Sequence, residues 1–135
     1  MFNKAFAIII LFASLSFADF IGLTPIQLQE KIDKNITLID IRTPPEWIQT
    51  GIVPTSNKIM FFDEKGNYNV EAWLEKFGKL VKDKNQPFVL VCRSGNRTGS
   101  VGNFLSNKLN FKNVYHLQDG INSWIKENRK ITHEQ

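Results

Sequence analysis

The sequence predicts an α/β fold: a mainly parallel central sheet with helices on both faces. Three observations lead there. Pro87-Phe88-Val89-Leu90-Val91-Cys92 is almost wholly apolar, too short for a helix and without alternation, as in a strand buried on both faces. Val70, Trp73, Leu74, Phe77 and Val81 recur at helical spacing along one face. Short β-branched stretches alternate with helical ones, the order expected of parallel strands joined by crossover helices. A chain of 135 residues holds one such domain.

The elements follow in order. Residues 1–18 predict a secretory signal peptide: Lys4 supplies the positive start, Ala5 to Leu15 the apolar run, and Ser16-Phe17-Ala18 the small-residue cleavage site. The run is short for a membrane-spanning helix, which needs ~20 residues. Cleavage takes one lysine and no acid, so the formal charge falls from +4 to +3. The expected location is the periplasm or the exterior. The remaining lysines are scattered and no nucleic-acid motif is present, so neither nucleic acid nor, after cleavage, a membrane is an expected partner.

Thr24-Pro25 reads as N-cap and first residue of a helix, with Gln27 at the capping-box position and Ile26, Leu28 and Ile32 as its buried side. Ile36 to Ile41 predicts a strand, which the Thr43-Pro44-Pro45 step ends. Gly51 to Ser56 reads as loop, Lys58 to Phe61 as a short strand, and Asp63 to Asn69 as a polar turn. The helix over 70–81 and the buried strand to Cys92 come next. Val101, Phe104, Leu105 and Leu109 mark another helix, Asn113 to Leu117 another strand, and Gly120 to Glu127 a last helix with Trp124 in the core. The domain thus spans 19–127, and 128–135 reads as a frayed polar tail.

Cys92 is the only cysteine, which excludes an internal disulfide and a multi-cysteine zinc site. It ends the most buried strand, where open α/β sheets meet their ligands. Arg93, Ser94, Gly95, Asn96 and Arg97 follow as a short loop leading into a helix. Such a loop can turn backbone N–H groups inward, and two arginines add positive charge; all of these favour a thiolate and an anion beside it. An inert core cysteine would need neither arginine. His116, in a strand, and His133, in the tail, carry no signature of a Cys–His site.

The chain resembles the rhodanese (sulfurtransferase) domain family over residues 20–127. Asp40-Ile41-Arg42 with Glu46-Trp47 is similar to its first signature. Gly51-Ile52-Val53-Pro54 resembles its Gly-His-Ile-Pro segment, and Cys92 to Arg97 its six-residue active-site loop. Leu117 to Trp124 resembles its closing Leu-x-Gly-Gly-x-x-x-Trp. Ile52 stands where the family commonly has His, Thr55-Ser56 where it has Gly-Ala, and Asp119 where it has the first Gly of the closing pair.

The resemblance implies a thiosulfate sulfurtransferase. Cys92 would take sulfur from thiosulfate or polysulfide as a persulfide and pass it to cyanide, a thiol or a protein acceptor, with no metal or organic cofactor. Arg93 and Arg97, with Ser94, Gly95 and Asn96, would bind the anionic donor. Asp40, Arg42, Glu46 and Trp47 are expected to be mainly structural, with a pocket role open for Arg42. Two other readings compete. A phosphatase or arsenate reductase needs Cys-x5-Arg, but the sixth residue after Cys92 is Thr98. A sulfur carrier or polysulfide-binding protein serving a partner enzyme needs the same Cys92.

Overall fold

A computed structural model describes residues 19–133, so the expected leader and the last two residues lie outside the described residues. The five strands are β1 (Asp19–Leu23), β2 (Thr37–Asp40), β3 (Asn57–Lys58), β4 (Phe88–Val91) and β5 (Asn113–Leu117). They form one sheet in the order β1-β5-β4-β2-β3, every neighbouring pair parallel. The helices are α1 (Pro25–Asp33), α2 (Pro44–Thr50), α3 (Val70–Phe77), α4 (Asn96–Asn103) and α5 (Gly120–Lys126). The expected α/β fold with a parallel sheet is the fold observed.

Side-chain alternation along the strands builds two cores, one per face. Ile39, Phe88 and Leu90 point to the face covered by Trp73 and Phe77 of α3 and Val101 of α4. Leu38, Val89 and Val91 point to the other, covered by Leu28 of α1 and Ile121 and Trp124 of α5. All four residues of β4 are fully buried, which is why its sequence carries no polar alternation. β4 lies between β2 and β5, and the chain leaves these strands in opposite directions. The loops after β2 and β4 therefore diverge, opening a crevice at the carboxyl end of the sheet beside Cys92.

Local chemistry explains where elements start and where the sequence reading needs correction. Thr24 and Gln27 cap α1 reciprocally, as expected. Of its three expected buried residues, Leu28 is fully buried and Ile32 partly, but Ile26 is exposed, because α1 is only nine residues and turns one narrow stripe inward. Residues 44–50 are helix, not an interruption: Pro44 and Pro45 fill the first turn, where no N–H is needed, and Glu46 accepts from the Thr43 N–H and hydroxyl. β1, absent from the sequence reading, forms the sheet edge beside β5. The Lys58–Phe61 strand shortens to Asn57–Lys58, although the Ile59 and Phe61 N–H groups still reach the carbonyls of Asp40 and Ile41.

Helix α3 stops at Phe77, and Val81 is buried beyond its end. After α4 the chain makes a π-helical turn over Phe104–Lys108, with Leu109 donating to the Phe104 carbonyl five residues back. The C-terminal stretch is not wholly frayed. Ile52 and Thr132 exchange two backbone hydrogen bonds, and the Trp124 indole donates to the Lys130 carbonyl. Apolar Ile131 packs there against the second core, which anchors an otherwise polar segment. No described helix is long and apolar enough to cross a membrane.

Candidate active site

Cys92 follows β4 directly, at the carboxyl end of the buried strand. Its neighbours turn sharply into α4. Gly95 sits just before the helix with φ of +98°, and a Cβ there would collide with the Gln118 carbonyl. This turn points the Gly95 N–H at the Cys92 sulfur, 3.2 Å away, and the Thr98 N–H reaches the same atom at 3.4 Å. The Thr98 hydroxyl lies 3.3 Å from Sγ. The loop is held from behind by α5: Ile121 N–H donates to the Cys92 carbonyl and Asn122 N–H to that of Arg93. That contact brings Gly120 so close that a Cβ would strike the Arg93 carbonyl, and its φ is +71°. The preceding Asp119 has an ordinary negative φ, so the departure from glycine at that position leaves the backbone intact.

Cys92 is buried, with 1% of its surface exposed. Outside it, Arg93, Asn96 and Arg97 line a cleft of about 730 Å³ with Glu46, Phe62 and Glu64 across from them. Ser94 is exposed on the loop. Arg93 is also exposed and borders a second opening beside Glu46 and Asn122. Arg97 is held in an ion pair at the cleft wall. Its two terminal nitrogens donate in parallel to the two Glu46 carboxylate oxygens, each at 2.8 Å. The Arg97 fork thus ties α4 to α2. This pairing, with bonds from Thr43 in support, lowers the Glu46 pKa from 4.5 to about 2. It also raises that of Arg97, with smaller help from Cys92 and Asp40.

Asp40, Arg42 and Trp47 form the base of the site. The Asp40 carboxylate accepts from the Arg42 backbone N–H, from Arg42 Nε and Nη2, and from the Trp47 indole. Arg42 also donates to Thr50 Oγ1 and the Gly51 carbonyl. With 1% of it exposed, Arg42 is bonded into the framework, at the floor of the second opening beside Glu46 and Asn122. Such a buried charge is tolerable because its guanidinium is bonded on several sides.

Two residues near the sulfur escaped the sequence reading. Thr98 figured only as the position an arginine would fill in a phosphatase loop. His116 carried no signature. In the structure the Thr98 hydroxyl lies between them, 3.3 Å from Cys92 Sγ and 2.7 Å from His116 Nδ1. His116 reaches this place because β5 pairs with β4, setting His116 opposite Leu90, two residues before Cys92. The alternation of strand side chains, which puts His116 on the face of Leu90 and Cys92, was the available signal.

Fold and site together define an α/β protein with a buried cysteine in a strand–loop–helix turn. The model of the rhodanese-like domain matches residues 24–127, and the chain belongs to that family. An uncharacterised protein of Rickettsia prowazekii is 34% identical over 92 residues, 66% of this chain and 72% of that one. The crystal structure of a rhodanese-related protein from Thermoplasma volcanium superposes with a TM-score of 0.63 at 26% identity, covering 84% of this chain and 98% of the other. The solution structure of the polysulfide-sulfur transferase homodimer of Wolinella succinogenes has a TM-score of 0.62 at 20% identity, over 99% and 91% of the two chains.

Proposed function

We propose that this domain is a sulfurtransferase. Cys92 takes sulfane sulfur from a small anionic donor, thiosulfate or a polysulfide, and hands it to a thiophilic acceptor. The observation that carries the reading is the setting of the sulfur: Gly95 and Thr98 N–H groups both point at Sγ, and Arg93 stands at the mouth. Donors aimed at a sulfur hold negative charge there at no cost in reorganisation.

In the first half-reaction the Cys92 thiolate attacks the outer sulfur of thiosulfate. A new S–S bond forms, and the old sulfur–sulfur bond breaks with its electron pair on sulfite. In the second, cyanide or a thiolate attacks the outer sulfur of the Cys92 persulfide, and Cys92 leaves as thiolate. Neither half needs an external oxidant or reductant. Burial of Cys92 favours a slender donor that can present one terminal sulfur. The persulfide then extends that sulfur about 2 Å outward, within reach of a bulkier acceptor thiol. The polysulfide-sulfur transferase among the structural neighbours supports the same chemistry. The leader-like residues 1–18 support action outside the cytoplasm, in the periplasm or beyond.

Intact-mass analysis after incubation with thiosulfate or polysulfide tests the reading. The expected result is a gain of one sulfur on Cys92, discharged by cyanide as thiocyanate and absent in Cys92→Ser. A folded wild-type protein that no sulfane donor modifies would sink it. Discharge by many small thiols marks a turnover enzyme, and discharge only by one protein marks a carrier.

A further inference from the structure

His116 is a buried titratable group that the sulfur-transfer steps leave unused. Its ring lies 4.6 Å from that of Phe20 and tilted against it, and its Nδ1 is 2.7 Å from Thr98 Oγ1. The Thr98 hydroxyl has one proton and three neighbours: His116 Nδ1, Cys92 Sγ at 3.3 Å and the Gly95 carbonyl at 3.2 Å. The His116 contact is the shortest. An unbroken chain of exchangeable protons therefore runs from the sulfur to the imidazole.

We propose that His116 is a positioning residue that stores the thiol proton of Cys92, received through the Thr98 hydroxyl. In the uncharged arrangement the Cys92 S–H donates to Thr98 Oγ1, whose own proton donates to bare Nδ1 of His116. Moving both protons one step breaks the S–H bond and the original Thr98 O–H bond. It forms a new Thr98 O–H bond and an Nδ1–H bond, leaving a thiolate and an imidazolium with no change in total charge. The hydroxyl then donates to the thiolate, as a third donor beside the Gly95 and Thr98 amides. The same bond serves when Cys92 is the leaving group.

Burial pushes the His116 pKa below its ordinary value, which leaves Nδ1 bare in the resting state but works against the imidazolium; the nearby Asp119 charge acts the other way and favours the protonated ring. Arg97 interacts electrostatically with Cys92, and exposed Arg93 lies beside it on the loop. Within β1, the neighbour on His116 is the uncharged Phe20 ring.

The test is the pH dependence of Cys92 alkylation by iodoacetamide, which needs no sulfur donor and so stands apart from the sulfurtransferase reading. At neutral pH, His116→Gln and Thr98→Val are expected to react about tenfold more slowly than wild type. All should converge at alkaline pH, and Thr98→Ser should restore the wild-type profile. A folded His116→Gln with the wild-type profile overturns the proposal. Nitrogen-15 NMR of His116 in the unsubstituted protein keeps it testable if the variants fail to fold. As pH rises, Nδ1 should hold its proton to a higher pH in the unsubstituted protein, where the thiolate stabilises the imidazolium, than in Cys92→Ala. An Nδ1 titration identical with and without Cys92 also overturns it. If alkylation behaves as expected while no sulfur is taken up, the relay stands and the sulfurtransferase reading fails.

Discussion

Arg97 and Glu46, 51 positions apart, form a two-point ion pair that fastens the cysteine-loop helix α4 to α2. Each side chain is about a quarter exposed, so the pair is screened but not free in solvent. Its geometry, two parallel N–H···O bonds, is the strongest form of such a contact. A double-mutant cycle of Glu46→Gln and Arg97→Met in urea unfolding should show a coupling of roughly 1 kcal/mol. Coupling near zero would refute the clamp. The pH dependence has a definite sign. Glu46 is depressed from 4.5 to about 2 on folding, so its contribution is full above the unfolded value. The stability gap between wild type and Glu46→Gln should therefore narrow as pH falls from 4.5 toward 2.

Arg97 is paired with Glu46, while Arg93 is exposed at the mouth of the cleft, so under the proposed function Arg93 is the arginine whose removal should weaken donor binding. Steady-state thiosulfate:cyanide transfer by Arg93→Ala should show a KM for thiosulfate raised about tenfold, the worth of one charge-assisted hydrogen bond. Turnover at saturating donor should change little, because Arg93 does not touch Sγ in the described bonds. A fall in turnover with KM unchanged would move Arg93 from binding to chemistry.

Thr55 occupies left-handed backbone at φ of +74°, a conformation β-branched residues rarely adopt. This is the position at which the resembling motif carries glycine. Thr55 is exposed, so its side chain has little packing to lose. Thr55→Gly should stabilise the fold by about 1 kcal/mol, the left-handed penalty less the entropy glycine adds to the unfolded chain. Urea unfolding measures this directly, and a destabilised Thr55→Gly would show that a hidden contact holds the threonine in place.

Much of the fold was legible because its signals are local. The Thr24–Gln27 cap, the helical stripe at Val70, Trp73 and Phe77, and the four buried residues of β4 each act within a few positions. The Asn113–Leu117 strand was read to the residue. Helix α2 was missed although Thr43 and Glu46 repeat the capping spacing, because two prolines suit a helix's first turn as well as a strand's end. β1 was missed because a five-residue edge strand becomes one only by pairing with β5, ninety-odd positions along.

The sequence by itself determined that one cysteine lies at the end of a buried strand, which the structure closes one residue earlier at Val91, and that a glycine-containing, arginine-flanked loop follows it. Those features are contiguous, and the strand–turn–helix geometry of residues 88–103 follows from them. Tertiary structure alone decided which charges remain free and which groups meet the sulfur. Arg97 read from the sequence as a donor-binding arginine, with nothing to show that α2 places Glu46 against it. His116 looked idle until the β4–β5 register carried it to Thr98. The physical reason is common to both. Contacts between residues 18 and 51 positions apart depend on strand order and register, which are set by burial of the whole sheet and not by any local run of residues.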